Sequence, residues 1–421
     1  MRMTLVALGF RGDVEPLVAL GGALARAGHQ VRVATSPEFE AMVRGDGLDF
    51  APVGPHASNV VGNEPGRRMI GGEGGIGGQL LRLRRLIEPV IEQLVGDALS
   101  AADDADALLF TPLANVGYVA EQRGVPSLMV SLWPKSRTSA FPAVGFPRAR
   151  FLGGPYNRFT HLLLEQASWR PFQRKANRTR IALGLPPIRW GTPMGLQHKQ
   201  RRPVIYGFSE SVVPRPADWG DWLQLTGYWF RDPPVGWRPP AELTRFLADG
   251  EPPVVVTFGS MATWHPARLG SIAVEALRLA GRRGILVGTL ESDATGDHVL
   301  HLPDVPYHWL FPKTAAVVHH GGAGTTAAAL RAGVPSVVVP FFADQPFWAS
   351  RVRELAGGPD PLPRCQLSAP RLAAAINQAC TDPQIRRETV RVSEGLRAED
   401  GLGRAVAAIE QHLASPAPLP G

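Results

Sequence analysis

The residues best able to do chemistry lie in the glycine-rich segment 319–325, whose sequence is His-His-Gly-Gly-Ala-Gly-Thr. An apolar run precedes this segment, and residues 326–331 have the pattern of a helix. A strand, a glycine-rich turn and a helix start place unpaired backbone N–H groups beside the positive end of a helix dipole, where a phosphate can bind. We therefore predict a phosphate contact for His320, whereas His319 is expected to pack at the strand end.

A carboxylate and an amide follow the next predicted strand, residues 336–339. Asp344 and Gln345 come just past its carboxyl end, which is where ligands bind in an open α/β sheet. Such a pair suits the hydroxyl groups of a sugar, so phosphate and hydroxyl contacts together predict a nucleotide-sugar site. Asp344 has one competing interpretation, as the cap of a helix over residues 345–355.

A third candidate, Asp13, ends a turn near the start of the chain. Residues 3–8 are a short apolar run, and residues 14–27 have a helical pattern that stops at Gly28. Aspartate at this position either contributes a carboxylate to a site or caps the first helix.

Two parallel sheets are needed to position these candidates. The strand, helix and strand predicted within the first 35 residues form a βαβ unit, whose crossover requires parallel strands. A second series begins with the apolar strand 253–260, and its later strands are short and apolar, as in a sheet covered on both faces. The glycine-dense segment 71–78 is predicted to be a mobile loop, because glycine loses the most backbone entropy on ordering.

Length and composition indicate two domains. The chain has 421 residues, of which 44% are hydrophobic and 19% charged, which is too long for one ordinary core. Four prolines between residues 231 and 240 mark a linker. We predict an N-terminal acceptor-binding Rossmann-like domain (1–230), a Pro-rich linker (231–241), a C-terminal nucleotide-sugar-binding Rossmann-like domain (242–400), and a C-terminal helix and tail (401–421). Packing of that last helix on the first domain is one option.

The chain start and the cysteines suggest a protein of the cytoplasm. The first ten residues lack the apolar region and cleavage site of a secretory signal, and no window reaches the roughly 18 apolar residues of a spanning helix. We therefore expect a soluble, cytoplasmic protein. The two cysteines, Cys365 and Cys380, are predicted to be ordinary thiols, since their positions fit neither a disulfide framework nor a zinc site.

Positive charge is concentrated in one segment. The net charge is +7, and between residues 137 and 202 thirteen Arg or Lys residues occur with a single acid, Glu165. The first interpretation is a solvated basic surface, and the second is contact with anionic lipid head groups. No nucleic-acid partner is predicted, because no binding motif accompanies the charge.

Five motifs resemble those of the bacterial antibiotic and sterol glycosyltransferases of the family-one, GT-B-fold group. In chain order they are residues 9–20, 257–261, 305–312, 319–325 and 343–346. The resemblance implies an α/β GT-B fold, in which two Rossmann-like domains with parallel sheets face each other across a cleft. None of the five motifs lies between residues 71 and 232, the acceptor-binding part in that family.

The resemblance also implies roles for individual residues. The donor diphosphate would lie on the glycine-rich turn, with a hydroxyl from Ser260 on the opposite loop, while Asp344 and Gln345 would bind the sugar. The nucleoside would contact the backbone around Val305 with Trp309 close by, although plain interdomain packing is an alternative for Trp309. The diphosphate contacts carried over to this chain are His320, Gly322, Gly324 and Thr325.

Inverting transfer, as in that family, needs a base for the acceptor hydroxyl, and the resemblance assigns this role to Asp13. An unperturbed aspartate has a pKa near about 4, so the site must raise this pKa or the proton must move late. No metal ion and no cofactor is required if backbone N–H groups and a histidine or hydroxyl offset the charge on the leaving diphosphate.

The sequence thus predicts an inverting glycosyltransferase that moves a sugar from a UDP- or dTDP-linked donor to a hydroxyl of a hydrophobic small molecule. Polyketide, macrolide, glycopeptide and sterol acceptors all fit this prediction. One alternative is an isomerase similar to UDP-sugar 2-epimerases, against which the Asp344 and Gln345 pair argues. Another is a membrane-surface transferase with a lipid-linked acceptor, which only the basic segment supports. The oligomeric state is left open.

Overall fold

The structure is a computed structural model that describes residues 1–56, 78, 85, 90–114, 116–149, 151–234, 236–291 and 298–414. Residues 71–77 of the predicted mobile loop lie outside the described residues. None of the helices in the described part of the chain is both long and apolar enough to span a membrane. Both cysteines are free, with Cys365 exposed and Cys380 buried.

A parallel sheet of seven strands organises the first half of the described chain. Its strands are β1 (Arg2–Val6), β2 (Gln30–Thr35), β3 (Asp49–Pro52), β4 (Ala107–Phe110), β5 (Ser127–Ser131), β6 (Val204–Tyr206) and β7 (Leu223–Leu225). They lie side by side in the order β3-β2-β1-β4-β5-β6-β7. Since β1 pairs in parallel with both β2 and β4, the strand order reverses between β1 and β4.

Helices bury both faces of this sheet. Within the described residues they are α1 (Arg11–Arg26), α2 (Glu40–Gly45), α3 (Ile91–Ala101), α4 (Gly117–Arg123), α5 (Gly153–Trp169), α6 (Gln173–Ala182) and α7 (Pro193–Lys199), with a 3-10 turn at Pro37–Phe39. Along β4, Leu108 and Phe110 belong to one apolar cluster, and Ala107 and Leu109 belong to another. Successive side chains of a strand point to opposite faces, so this strand is apolar at every position.

A second parallel sheet has five strands in the described chain. They are β8 (Val254–Thr257), β9 (Gly284–Val287), β10 (Val299–Leu302), β11 (Ala316–His319) and β12 (Ser336–Val338). Their order is β10-β9-β8-β11-β12, so the reversal falls between β8 and β11. Ligands of open parallel sheets bind beyond the carboxyl ends of the strands at such a reversal.

Helices of the second half complete the described structure. They are α8 (Ala241–Ala248), α9 (Pro266–Leu279), α10 (Tyr307–Leu310), α11 (Ala323–Ala332), α12 (Gln345–Glu354), α13 (Ala369–Thr381), α14 (Pro383–Arg397) and α15 (Gly401–Ala414), with 3-10 turns at Gly259–Trp264, Phe311–Lys313 and Arg364–Gln366. The last helix returns to the first sheet, where Ala408 and Ile409 share an apolar cluster with Leu5 and Leu17. The domain boundaries proposed from the sequence stay predictions.

The start of α1 differs from the sequence-based expectation. The helix begins at Arg11 and has Phe10 as its N-cap, so Asp13 is its third residue. The backbone N–H of Phe10 donates to the Asp13 carboxylate at 2.9 Å, which is the reciprocal half of a capping box. The interpretation of Asp13 as the N-cap is therefore wrong.

Two long helices, α13 and α14, had no counterpart in the sequence analysis. A start signal was present for α14, because Asp382 precedes Pro383. The Asp382 carboxylate accepts a hydrogen bond from the backbone N–H of Gln384 at 2.8 Å.

Candidate active site

The glycine-rich segment forms the turn between β11 and α11. His319 is the last residue of β11, and Gly322 is the N-cap of α11. Gly324 and Thr325 therefore lie in the first turn of the helix rather than in the loop before it. Because a glycine N-cap supplies no side-chain acceptor, the N–H groups of this first turn remain available to an anion.

Close packing explains the glycines of this turn. Gly321 has φ +87°, and a Cβ atom there would lie 2.8 Å from Cγ1 of Val338. A Cβ on Gly322 would lie 2.5 Å from Nε2 of His320, and one on Gly259 would lie 3.3 Å from its Cε1. The absence of side chains at these two glycines leaves room for the His320 imidazole at the reversal between β8 and β11.

The two histidines of the segment have different surroundings. Burial lowers the pKa of His320 to about 4, so its imidazole is neutral at physiological pH, and its Nδ1 atom has no hydrogen-bond partner among the described residues. His319 is fully buried and accepts a hydrogen bond from the Gly321 N–H at 3.1 Å. The expected packing role of His319 at the strand end is confirmed, although its Nε2 atom, like Nδ1 of His320, has no hydrogen-bond partner among the described residues.

Ser260 lies in the 3-10 turn that follows β8, one residue after Gly259. Since β8 and β11 are neighbouring parallel strands, their following loops leave the same edge of the sheet. The structure thus brings the predicted Ser260 loop and the His320 turn together.

Asp344 lies at the start of α12, after the next strand. Its backbone is at the N-cap position, but its side chain makes no capping hydrogen bond. Instead, the Asp344 carboxylate accepts a hydrogen bond from the indole N–H of Trp348 at 2.8 Å. Burial raises the pKa of Asp344 to about 6. The competing interpretation, a side chain that only caps the helix, is not supported.

Gln345 is more constrained than its predicted sugar contact suggests. It is 5% exposed, and its carbonyl oxygen accepts hydrogen bonds from the backbone N–H groups of Phe341 and Phe342 at 2.8 and 3.2 Å. The side-chain carbonyl is therefore committed to shaping the loop before α12. A contact between Gln345 and a sugar has only the amide NH2 group available.

The predicted nucleoside residues lie in the second half of the chain. Val305 is buried in the apolar cluster of the second sheet. Trp309 is half-buried; its ring packs edge-to-face on Trp237 at 5.4 Å between centroids, and the Lys313 ammonium lies 4.0 Å from its centroid. Part of the Trp309 ring is thus used in packing against the Pro-rich segment, and its contact with a nucleoside stays a prediction.

Asp13 has the environment of a carboxyl group that holds its proton near neutral pH. Gly9 has φ +136°, and a Cβ atom there would lie 2.3 Å from the Asp13 carboxylate. Burial raises the pKa of Asp13 to about 7, its hydrogen bond from Phe10 opposes this, and the charge of Asp344 raises the pKa further. The effect of Asp344 shows that carboxylates from the two halves of the chain lie close enough to interact.

Direct contacts join the two halves around this pair of carboxylates. Helix α1 packs against α11, and the Arg11 guanidinium forms an ion pair with Asp304 at 2.9 Å. Trp348 is fully buried and packs against Phe208 and Tyr228 of the first half. The same indole therefore contacts the first half of the chain through its ring and orients Asp344 through its N–H.

Sequence reasoning missed Trp348 and the ion pair between Arg11 and Asp304. The spacing offered a signal for Trp348, because side chains four residues apart on a helix lie on one face, and Asp344 and Trp348 have this spacing. No comparable local signal exists for Arg11 and Asp304, which only the tertiary structure brings together.

We predict that Trp348→Phe raises the KM for the sugar donor about tenfold, because an aromatic ring remains while the hydrogen bond to Asp344 is lost. The matched control is Trp229→Phe, which removes another buried indole N–H, the donor to Thr226 at 3.0 Å. Steady-state kinetics with both variants tests this. Equal KM values for the two variants would show that the indole N–H does not orient Asp344 for the donor.

Among the residues that the structure describes, no group of three or more His, Cys, Asp or Glu side chains is arranged to hold a metal ion. Transfer without a metal or a cofactor stays a prediction.

The architecture defines the class of the protein. Two parallel sheets, each with a reversed strand order, place an aspartate and a glycine-rich helix start beside one another, as in the GT-B glycosyltransferases. Residues 3–142 match the family model of the glycosyltransferase family 28 N-terminal domain. Residues 292–407 match that of the erythromycin biosynthesis protein CIII-like, C-terminal domain.

Individual relatives agree with this class. The chain is 40% identical over 427 residues to O-mycaminosyltylonolide 6-deoxyallosyltransferase of Streptomyces fradiae, covering 98% of this chain and 97% of that protein. It is 35% identical over 432 residues to sterol 3-beta-glucosyltransferase of Emericella nidulans, covering 98% of this chain but only 30% of that longer protein. The chain belongs to the antibiotic and sterol glycosyltransferases of the family-one GT-B group, as predicted.

The fold is shared with solved structures of low sequence identity. The crystal structure of glycosyltransferase VinC in complex with DTDP has a TM-score of 0.67 and 19% identity, covering 98% of this chain and 100% of that chain. This likeness confirms the predicted GT-B fold. The family model and the 40% identical relative show that the protein is a glycosyltransferase.

Proposed function

We propose that this glycosyltransferase moves a sugar from a UDP- or dTDP-linked donor to a hydroxyl of a hydrophobic natural product, with inversion at the anomeric carbon. The observation that carries the proposal is the position of Asp13, whose raised pKa reflects burial and the nearby charge of Asp344. A carboxyl group with a pKa near neutrality is matched to general-base catalysis at physiological pH.

The donor end of the proposal is supported by the start of α11. The backbone N–H groups of its first turn point out of the helix end, at the positive end of the helix dipole, where a diphosphate is stabilised. They include the N–H groups of Gly324 and Thr325. The neutral His320 imidazole adds a hydrogen-bond donor, and Ser260 adds a hydroxyl from the neighbouring loop. These groups offset the negative charge that grows on the leaving nucleoside diphosphate.

The transfer step then follows from the arrangement of the two carboxylates. Asp344 accepts hydrogen bonds from sugar hydroxyls, which holds the anomeric carbon between the diphosphate and Asp13. Asp13 takes the proton of the acceptor hydroxyl as its oxygen bonds to the anomeric carbon, and the bond to the diphosphate breaks. Attack from the face opposite the leaving group inverts the anomeric configuration.

The acceptor class is proposed from the relatives. The Streptomyces fradiae protein is named for transfer to O-mycaminosyltylonolide, and the fungal proteins are named for transfer to sterols. Both names describe large, mostly apolar acceptors. Since the Streptomyces fradiae and Emericella nidulans proteins are both named as transferases, an epimerase-like isomerase has no support beyond the shared architecture.

A donor-by-acceptor screen tests the proposal. The enzyme is incubated with UDP- and dTDP-linked hexoses and deoxyhexoses against macrolide, polyketide, glycopeptide and sterol acceptors, and mass spectrometry reads the product mass and the released nucleotide. The proposal expects an acceptor that gains one sugar. Release of nucleotide with an isomerised free sugar and no glycosylated acceptor would favour the isomerase.

We predict that kcat rises as the pH increases through about 7. Asp13 must be unprotonated to act as the base, and its pKa is raised to about 7, so the active fraction grows as pH passes this value. The negative charge of a bound diphosphate raises the pKa of Asp13 further, so the rise in kcat moves to higher pH, not lower. The measurement is kcat as a function of pH at saturating donor and acceptor. A rise in kcat centred near the ordinary aspartate pKa of about 4 would contradict the assignment.

A further inference from the structure

Exposed apolar side chains are concentrated in one part of the described chain. Of its eleven exposed large hydrophobic residues, seven lie between residues 151 and 190, and each of the seven is at least 43% exposed. They are Phe151, Leu152, Phe159, Leu162, Leu163, Ile181 and Trp190. Scattered single residues of this kind are ordinary, but a cluster marks an interaction surface.

The cluster follows one face of α5. Leu152, Phe159 and Leu163 are separated by seven and four residues, which places them on the same face of a helix. His161 and Glu165, on another face of α5, are buried. The apolar face of this helix is therefore turned toward solvent, the reverse of an ordinary surface helix.

A basic cavity continues this face. Arg170 follows Leu163 by seven residues and so extends the same face of α5 by two turns. It lines a cavity of about 950 Å³ between α3 and α6, together with Arg174, Lys175 and Arg178. Glu92 is the only acid among the described residues that line this cavity.

Two aromatic residues flank this surface on loops. Phe151 is fully exposed beside the start of α5, and Trp190 is 88% exposed. The loop of Trp190 is tied to α6, because the Ile188 carbonyl accepts a hydrogen bond from Asn177 at 3.1 Å. Protruding aromatic side chains beside arginine are typical of proteins that sit at a lipid–water interface.

We propose that this surface docks onto a membrane that contains anionic lipids. The surface consists of the exposed face of α5, the Phe151 and Trp190 loops and the basic cavity. An anionic bilayer offers both chemistries that the surface needs, since its phosphates pair with guanidinium groups and its acyl boundary accepts apolar side chains. A second copy of this chain complements the surface poorly, because a symmetric contact would bring two basic cavities together.

The proposal goes beyond sugar transfer and is independent of it. Docking would hold the enzyme where lipophilic acceptors partition, but the contacts do not involve Asp13 or the glycine-rich turn. Failure of vesicle binding therefore leaves the proposed reaction untouched, and failure of the reaction leaves vesicle binding untouched.

Vesicle flotation with the full chain tests the proposal without any sugar nucleotide. We expect the protein to float with vesicles of phosphatidylcholine and phosphatidylglycerol at about 0.1 M salt, where charges within about 10 Å still interact. Vesicles of phosphatidylcholine alone should bind little protein. Absence of binding to the mixed vesicles, or equal binding to both kinds, would overturn the proposal.

Variants separate this surface from a general effect of net charge. The double variant Arg174→Gln with Arg178→Gln should weaken partitioning onto the vesicles about 30-fold, since each charge near the bilayer contributes about fivefold. The double variant Phe151→Ser with Trp190→Ser should weaken partitioning about tenfold. The matched controls on α14 are Arg386→Gln with Arg387→Gln, and Val390→Ser, all at exposed positions. Equal weakening by the controls would overturn the proposal.

Self-association is the competing outcome. Sedimentation velocity of the wild type and of Phe159→Ser with Leu163→Ser, each checked for an unchanged melting temperature, measures it. A wild-type dimer that these substitutions dissociate, together with no flotation of the wild type, would assign the surface to a second copy. A wild-type protein that floats as a monomer supports membrane docking.

Discussion

Asp13→Asn is expected to lower kcat by about three orders of magnitude while the affinity for nucleoside diphosphate stays within about twofold of the wild type. The amide has nearly the shape of the carboxylate and can still accept the hydrogen bond from the Phe10 N–H. It cannot take a proton from the acceptor hydroxyl. Because the substitution also removes a negative charge facing Asp344, donor affinity should not fall.

The test of Asp13 combines turnover with calorimetry. Turnover is measured at saturating donor and acceptor, and the nucleotide affinity is measured by titration calorimetry on the same preparations. Glu40→Gln is the matched control, since Glu40 is an exposed carboxylate at the start of α2, a helix that packs against α1. Among the ion pairs of the described residues, Glu40 pairs only with Arg44, at 2.8 Å. Wild-type turnover in Asp13→Asn would remove Asp13 from the role of base.

His320→Ala is expected to weaken binding of the nucleoside diphosphate by about 10- to 100-fold, the range of a hydrogen bond to a charged group. The loss should appear in KM and in the calorimetric affinity more than in kcat at saturating donor. The neutral state of the imidazole adds a second expectation. Since the pKa of His320 is lowered to about 4, the ratio of wild-type to variant affinity should stay constant between about pH 6 and 8.

The pH dependence distinguishes a hydrogen bond from an ion pair. A protonated imidazole would strengthen binding as the pH falls toward about 6.5, so the ratio would then grow at lower pH. His301→Ala is the matched control, because His301 is an exposed histidine on β10 at the edge of the second sheet. Unchanged affinity in His320→Ala would contradict the diphosphate contact.

Local sequence patterns predicted many elements of the fold. The strands β8 and β12 lie within the apolar runs predicted at residues 253–260 and 336–339, because strands covered on both faces must be apolar along their length. Helix ends were less accurate. The start of α1 depends on the reciprocal hydrogen bond between Phe10 and Asp13, which the apolar pattern does not contain.

The candidate site was also predictable only in part. The glycine-rich turn was predictable because strand, turn and helix start are adjacent in sequence, and glycine is needed where a Cβ would collide with Val338 or His320. The hydrogen bonds of the Gln345 side chain were not predictable, because its carbonyl accepts from backbone N–H groups of a loop whose shape depends on the whole second sheet. The role of Trp309 likewise depends on its packing with Trp237.

The sequence by itself determined the family, the two parallel sheets and the glycine-rich start of α11, because each rests on residues close together along the chain. Only the tertiary structure decided that Asp13 lies near Asp344, that Trp348 both orients Asp344 and packs on the first half, and that the apolar face of α5 is turned toward solvent. Burial and the distance between remote charges set a pKa, and both quantities exist only once the two halves have packed together.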